Sequence, residues 1–342
     1  MKKISFCICV CLLTMASFSQ YNFSALDKKL EEVKKQLGGD AVAMIYKDGK
    51  LIYQKTMGEF KANTQAPIAS CSKWLTAAIV MRFVDEGKIS LDDKVSTYLP
   101  IFEKYGKKYI TIRHCLSHQT GIEQERISLL KILTRKKYET LEEEVNDFAS
   151  AKEIDFNAGS GFHYGNIGLN IAARVLEVIT RRSFEQIAQE KLFRPMAMRQ
   201  TTFRNDRGGA PNPSGGAQSS AGDYMNFLTM ILNKGMFNGN RILSEAAIFE
   251  MQKEQISLDK IKYAPGAAEG YTYGLGEWVM AKNAAGISTV VSSPGLFGTW
   301  PMVDNCRGYA FIIFVKNFLG EQKRTLYDQI IELVNVEIKS CD

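Results

Sequence analysis

Ser70 and Lys73 lie three residues apart at the start of an apolar, alanine-rich segment. The segment follows Pro67 and ends at Gly87, which predicts one helix that begins at about Ser70 and ends at a glycine. Positions i and i+3 of a helix share a face, so the lysine amine can reach the serine hydroxyl. A lysine of lowered pKa could take the hydroxyl proton, and the helix N-terminus could stabilise a developing oxyanion. The pair therefore predicts a nucleophile for acyl transfer.

Tyr164 and Asn166 form a second polar group, just before a helix predicted to start at Ile167. The phenol could pass protons between a nucleophile and a leaving group if a neighbouring ammonium lowers its pKa. The amide of Asn166 could hold a substrate carbonyl or Lys73. Taken singly, both groups have a structural alternative: Ser70 as a helix N-cap, and Tyr164 and Asn166 as a packed aromatic and a cap.

A third group, Ser293, Gly295 and Leu296, lies in the segment 292–300 at a predicted strand–turn–strand junction. Glycine lets a backbone approach a ligand closely. An edge strand here could offer the second N–H of an oxyanion hole, for which Leu296 is the candidate. The alternative is an ordinary hairpin that contains glycine.

In this order along the chain, the three groups resemble the motifs of the serine β-lactamase and penicillin-binding protein superfamily. The similarity is to the class C-like branch, which also contains esterases and D-amino-acid peptidases. It runs from about Ala41 to the C-terminal helix, and further stretches support it: 85–93, 111–121, 214–223 and 273–276.

The resemblance implies an acyl-serine mechanism in which Ser70 attacks a carbonyl. Lys73 and Tyr164 would share the general-base work, and Tyr164 would protonate the leaving group. The N–H groups of Ser70 and Leu296 would hold the oxyanion, and Asn166 would orient the substrate and Lys73. Many relatives carry Lys or His at the position of Ser293, where a cation helps to bind the carboxylate of β-lactams and peptide termini. Its absence favours neutral esters or amides.

The sequence therefore predicts an exported serine hydrolase that cleaves an ester or amide of a small molecule or peptide. One alternative is a β-lactamase or D-alanyl peptidase acting on cell-wall substrates, and another is a catalytically decayed ligand-binding relative. No cofactor and no metal are expected, and the sequence contains no Cys-x-x-Cys spacing. His114, His118 and His163 are expected to support the structure rather than to catalyse.

The patterns predict an α+β fold with a mainly antiparallel sheet built from the N- and C-terminal segments, flanked by helices, and an inserted helical region. The α/β part would be 21–89 and 221–342, and the helical insert 90–220. Sheet strands are predicted at 41–46, 51–53, 271–280, 287–292, 299–303 and 309–315. Helices are predicted at 22–37, 112–116, 129–133, 141–148, 167–179, 224–232 and 321–338, with a cap at Ser220.

The composition fits a globular exported protein. The 342 residues are 45% apolar and carry a net charge of +6 that is scattered along the chain, so nothing suggests a nucleic-acid footprint. Residues 1–20 have the charged start, apolar middle and small-residue end of a secretory signal, with cleavage predicted after Ser19. The mature protein, 21–342, is expected to be secreted or periplasmic, without stable membrane insertion, and its oligomeric state is open.

Four cysteines remain after removal of the signal: Cys71, Cys115, Cys306 and Cys341. An even number in an oxidising compartment permits disulfides, and three pairings are possible. Cys71 is expected to pack in the core as a small apolar side chain.

Overall fold

A seven-stranded antiparallel sheet forms the centre of the molecule. The computed structural model describes residues 21–124, 136–205, 208–319, 324–339 and 341. Its strands are β1 (Ala41–Lys47), β2 (Lys50–Met57), β3 (Ala66–Pro67), β4 (Phe162–His163), β5 (Gln218–Ser219), β6 (Met236–Phe237), β7 (Asn240–Arg241), β8 (Ile261–Tyr263), β9 (Thr272–Tyr273), β10 (Trp278–Lys282), β11 (Ser288–Ser292), β12 (Trp300–Asp304) and β13 (Tyr309–Val315). The strand order in the large sheet is β2-β1-β13-β12-β11-β10-β9.

Helices cover both faces of this sheet. The α-helices are α1 (Ser24–Val33), α2 (Ser72–Asp85), α3 (Val95–Tyr98), α4 (Ile101–Lys104), α5 (Ile112–Leu116), α6 (Leu141–Ala151), α7 (Ile167–Thr180), α8 (Phe184–Ala188), α9 (Ala221–Leu232), α10 (Glu245–Gln252) and α11 (Arg324–Glu337). Short 3₁₀ turns occupy Ala69–Cys71, Leu258–Lys260 and Gly266–Ala268, and a π-helical turn occupies Gln189–Phe193.

The sheet joins the two ends of the chain, because β1 pairs with β13 along its whole length, from Ala41 opposite Val315 to Lys47 opposite Tyr309. The tight β1–β2 turn uses Asp48 and Gly49, whose φ values of +49° and +80° suit a hairpin turn of two left-handed residues. The predicted α+β fold, with an antiparallel sheet built from both ends and flanked by helices, is confirmed.

Side chains alternate between two apolar layers, as the period of a strand requires. Val42 and Met44 of β1 point into the larger core, with α2, α7 and α9. Ala43 and Ile45 point into the smaller core, with α1 and α11. Because both faces are covered, β13 is buried at all seven positions.

One predicted strand is wrong as a single element. The segment 271–280 is divided into β9 and β10 by a turn in which the Gly274 N–H donates to the Glu277 carbonyl. Gly276 has φ +79°, which a glycine adopts without strain. Because apolar and aromatic residues continue through this turn, the sequence pattern concealed it.

Most of the helix predictions agree with the structure in type and to within a few residues at the ends. Ser220 caps α9 by accepting a hydrogen bond from the Asp223 N–H. The predicted helix at 129–133, the signal segment 1–20 and the first residues of the helix predicted at 321–338 lie outside the described residues. Among the described residues, the strands of the large sheet all fall outside 90–220, in keeping with the predicted insert, whose limits stay a prediction.

One disulfide is present in the described part of the chain. Cys306 is bonded to Cys341 with their Cα atoms 5.3 Å apart, whereas Cys71 and Cys115 are free and buried. The bond ties the segment that follows α11 to the β12–β13 turn.

Candidate active site

The backbone turns sharply just before Ser70. Ala69 has φ +46°, a left-handed conformation that non-glycine residues seldom adopt and that is often found at functional sites. A 3₁₀ turn at Ala69–Cys71 leads directly into α2, so the helix begins within two residues of the predicted position. Ser70 therefore lies at the N-terminal end of a helix, where it is 7% exposed.

Lys73 is fully buried in the first turn of α2, among oxygen acceptors. Its Nζ lies 3.2 Å from Ser70 Oγ, 3.1 Å from Asn166 Oδ1 and 2.8 Å from the carbonyl oxygen of Ser214. Each of these acceptors can take one N–H group of the amine. The structure thus brings three of the predicted site residues together, although Asn166 lies 93 positions after Lys73 in the chain.

Tyr164 completes this group from the segment between β4 and α7. Its side chain lines the same cavity as those of Ser70 and Trp278, and Lys73 Nζ lies 4.9 Å from the centre of its ring. Burial raises the pKa of the Tyr164 phenol, and the neighbouring Ser70 and Trp278 side chains act in the opposite direction. The phenol therefore lies beside the proposed nucleophile and is kept protonated near neutral pH.

The segment 293–299 is a turn between two inner strands, β11 and β12, so the expectation of an edge strand is wrong. The Gly295 N–H donates to the Thr299 carbonyl at 2.8 Å, which closes the turn. A Cβ on Gly295 would come within 2.5 Å of the Ile68 carbonyl oxygen, so only glycine allows the turn to approach the loop that carries Ser70. Leu296, the candidate for the second oxyanion N–H, lines the cavity beside Ser70.

Ser293 lies beside Ser70 but contacts backbone. Its buried hydroxyl donates to the carbonyl oxygen of Gly276 at 3.2 Å and lies 3.5 Å from that of Ser70. The side chain therefore joins the nucleophile loop to the β9–β10 turn, whereas the sequence suggested a contact with substrate.

A small cavity of about 40 Å³ opens beside Ser70. The described residues that line it are mostly apolar and aromatic, and none of them is charged: Ser70, Tyr164, Pro265, Ala267, Ala268, Trp278, Pro294, Gly295, Leu296, Trp300 and Tyr327. Sequence reasoning missed the two tryptophans and Tyr327, because each reads as an ordinary core residue of a strand or helix.

A second set of hydrogen bonds fixes the Ser214 carbonyl that Lys73 contacts. The Ser214 N–H donates to Asn170 Oδ1 at 3.0 Å, and the Asn170 amide donates to Glu144 Oε2 at 3.0 Å. Asn170 and Glu144 are both buried. The available signal was a polar residue one helical turn after Asn166 in an otherwise apolar stretch, which places both amides on one face of α7.

The contacts of the three histidines indicate that they support the fold. His114 closes a capping box with Thr111 at the start of α5. His118 is buried with its Nε2 3.2 Å from the Tyr273 hydroxyl, and burial, together with Lys73 and His163, lowers its pKa well below the usual value. His163 packs against the ring of Tyr263. A neutral His118 therefore supports the wall behind Tyr164.

Two structural absences hold for the described part of the chain. No three histidine, cysteine or acidic side chains there are placed to bind a metal ion. No helix in those same ranges has the length and apolar character needed to cross a bilayer.

Known proteins share this sequence pattern and fold. A sequence model of the Beta-lactamase family matches residues 26–335. Protein flp of Staphylococcus aureus strain MW2 is 28% identical over 178 residues, which cover 48% of this chain but only 34% of that protein. The D-alanyl-D-alanine-carboxypeptidase/endopeptidase AmpH of Escherichia coli strain K12 is 23% identical over 341 residues, covering 90% of this chain and 88% of AmpH.

A solved structure shares this fold. The crystal structure of a candidate beta-lactamase from Bacteroides dorei covers 92% of this chain and 99% of its own, with a TM-score of 0.81 and 27% sequence identity. The likeness therefore extends over most of this chain.

Proposed function

This chain belongs to the beta-lactamase family, whose members with this fold include hydrolases, and we propose that it is an exported serine hydrolase that forms an acyl-enzyme at Ser70. The observation that carries the proposal is the position of the Ser70 hydroxyl. It lies 3.2 Å from the Lys73 amine and faces a cavity that Tyr164 also lines. The substrate is an ester or amide of a small molecule or peptide.

The reaction has two halves. Ser70 Oγ bonds to the substrate carbonyl carbon while its proton passes to Lys73 in its neutral amine form, and the N–H groups of Ser70 and Leu296 hold the oxyanion. The intermediate collapses as the bond to the leaving group breaks and Tyr164 gives that group a proton. Water then attacks the acyl-enzyme, the same side chains take the water proton, and the Ser70 hydroxyl is restored.

Export is supported by two features. The sequence of residues 1–20 has the pattern of a secretory signal. The Cys306–Cys341 disulfide fits an oxidising compartment such as a periplasm or the extracellular medium.

Peptidase activity toward cell-wall peptides is the second candidate, because the alignment with AmpH covers 90% of this chain. Against it stands Ser293, which gives the third motif no cation for a terminal carboxylate. A chromogenic cephalosporin and a peptide ending in D-alanyl-D-alanine test this candidate. Turnover of either one faster than of p-nitrophenyl acetate would favour it over the ester or amide hydrolase.

We expect Ser70→Ala to abolish hydrolysis of p-nitrophenyl acetate, by about 10³-fold or more, since the nucleophile is lost. Ser150→Ala, the same change at an exposed position of α6, is the control and should retain the parental rate. Hydrolysis by the Ser70→Ala variant at the parental rate would refute the acyl-serine mechanism. Parental protein that neither hydrolyses nor binds a boronic acid at Ser70 would instead favour a decayed relative.

A further inference from the structure

The cavity beside Ser70 is small. Its volume of about 40 Å³ is far below the ~150 Å³ of an engineered apolar cavity that binds benzene. A ring or a long alkyl chain therefore does not fit without displacing the walls, whereas an acyl group of about two to four carbons does.

None of the described residues that line the cavity carries a charge. Their polar side-chain atoms are the hydroxyls of Ser70, Tyr164 and Tyr327 and the indole N–H groups of Trp278 and Trp300. The Tyr327 hydroxyl already donates to the Gly298 carbonyl oxygen at 2.7 Å. A carboxylate or ammonium on the acyl chain would be buried here without an oppositely charged partner among these residues, which is strongly unfavourable.

Aromatic packing fixes the cavity wall that Trp300 and Tyr327 form. The rings of Trp300 and Tyr327 stack with their centres 4.2 Å apart and their planes at 15°. Both side chains are buried, and Tyr327 lies on α11 against the sheet. Enlarging the cavity on this side would separate a stacked aromatic pair.

The same helix, α11, also supports a second wall of the cavity. The 3₁₀ turn Gly266–Ala268 contributes Ala267 and Ala268 to the cavity. Arg324 of α11 donates to the Glu269 carbonyl oxygen at 2.8 Å, just after this turn, and its guanidinium lies 4.3 Å from the centre of the Tyr271 ring. The C-terminal helix therefore fixes both sides of the cavity.

From these walls we infer that the cavity is an acyl-binding pocket that selects short, uncharged acyl groups, of about two to four carbons. The inference rests on the proposed acyl-enzyme function. The acyl group stays bonded to Ser70 until water releases it, whereas the leaving group must depart to solvent. The apolar cavity beside Ser70 is therefore assigned to the acyl group.

A series of p-nitrophenyl esters tests the pocket. The value of kcat/KM should be highest for acetate to butyrate and at least about 10-fold lower for octanoate, since the longer chain does not fit. The hemisuccinate ester, which carries a carboxylate, should be hydrolysed at least about 10-fold more slowly than butyrate.

Two variants change the volume of the pocket without touching the buried aromatic pair. Ala267→Val adds two methyl groups to a half-buried wall and should lower the butyrate-to-acetate ratio of kcat/KM by about 5-fold or more. Leu296→Ala removes side-chain volume while it keeps the backbone N–H, and should raise the octanoate-to-acetate ratio. Ala284→Val, in the exposed β10–β11 turn, is the control and should change neither ratio.

The outcomes separate the pocket from the proposed function. If octanoate or hemisuccinate is hydrolysed as fast as butyrate while Ser70→Ala is inactive, the pocket inference is overturned and the acyl-enzyme function stands. The pocket inference is likewise overturned if Ala267→Val changes the ratio no more than Ala284→Val. If Ser70→Ala is as active as the parent on every ester, both proposals fail.

Discussion

Three oxygen atoms surround Lys73 Nζ, and they belong to a serine hydroxyl, a side-chain amide and a peptide carbonyl. Only the first comes from the same segment of chain, so the position of the amine depends on two distant segments. One of these, the loop at Ser214, is itself fixed through Asn170 by the buried carboxylate of Glu144. The proton transfer at Ser70 therefore depends on residues that contact neither the nucleophile nor the cavity.

Replacing Asn170 tests this dependence. Asn170→Ala should lower kcat by about 10- to 100-fold with little change in KM, because a displaced Ser214 carbonyl no longer holds Lys73 in register with Ser70. Steady-state kinetics on p-nitrophenyl acetate measure the two constants separately. Glu144→Gln should show a smaller loss of the same kind, since a neutral amide oxygen accepts from the Asn170 amide more weakly than the carboxylate does.

Asn146→Ala is the matched control, since this half-buried residue lies on α6 with Glu144. It should leave kcat and KM at the parental values. An Asn170→Ala protein that folds and melts like the parent and keeps its kcat would show that the Ser214 carbonyl is placed without this amide.

The sequence predicted the residues whose spacing reports chemistry, Ser70, Lys73, Tyr164 and Asn166, and the structure brings these four together. It did not predict Trp278 as a residue of the site, because a tryptophan in an apolar strand pattern indicates a core residue. Hydrogen-bond partners set by tertiary packing, such as the two carbonyls that Ser293 contacts, leave no trace in local spacing.

The turn between β9 and β10 packs directly against α2. Gly276 lies so close to the helix that a Cβ there would come within 2.8 Å of the Lys73 carbonyl oxygen. The next residue, Glu277, is fully buried, and neither carboxylate oxygen has a hydrogen-bond partner among the described residues. Burial raises the pKa of Glu277 well above its usual value. Tyr224 and Tyr273 are the titratable groups that its charge affects.

A raised pKa in the folded state makes stability depend on pH. Above the unfolded-state pKa, near 4.5, the unfolded chain releases the Glu277 proton while the folded protein keeps it, so the free energy of unfolding falls as pH rises. The slope is up to about 1.4 kcal/mol per pH unit from this group. Glu277→Gln removes it, so its melting temperature relative to the parent should be higher at pH 8 than at pH 5.

Thermal melts at the two pH values measure this difference, and any pH-independent effect of the new amide cancels in the comparison. Glu32→Gln, an exposed carboxylate of α1, is the control and should show no such difference. An equal change for Glu277→Gln at both pH values would mean that the folded protein binds no extra proton at this site.

Sequence pattern predicted most elements because strand and helix periods are local properties. The Asp48–Gly49 turn and the glycine stop of α2 left clear signals. The division of 271–280 into two strands did not, since a buried turn flanked by aromatic residues continues the strand pattern. Which cysteines pair was also beyond the sequence, because pairing depends on where the chain ends meet.

At the scale of the whole molecule, helix α11 connects the sheet with the candidate active site. α11 packs on the sheet beside α1, and its Tyr327 reaches the cavity at Ser70. The Cys306–Cys341 disulfide holds the chain just beyond this helix to the β12–β13 turn, across a sequence separation of 35 residues. Stability and the shape of the cavity are therefore coupled through one helix.

Removing the disulfide tests how much this bond stabilises the fold. Cys341→Ser should lower the free energy of unfolding by about 2–4 kcal/mol, because the unfolded chain is no longer cross-linked over this loop. Chemical denaturation with and without reductant measures it, and the reduced parent should match the variant. The buried free cysteine Cys115 supplies the control: Cys115→Ser keeps the disulfide, so reductant should destabilise it by as much as it destabilises the parent. A Cys341→Ser protein as stable as the oxidised parent would show that the bond adds nothing to the fold.

The central claim is that Ser70 is a nucleophile activated by Lys73 and Tyr164. A fluorophosphonate probe, followed by intact-mass and peptide-mapping mass spectrometry of the full-length protein, tests it most directly. We expect one adduct on Ser70 in the parent, none in Ser70→Ala, and labelling slowed at least about 10-fold in Lys73→Ala. An adduct on a different residue, or labelling of Ser70 at an unchanged rate without Lys73, would contradict the claim.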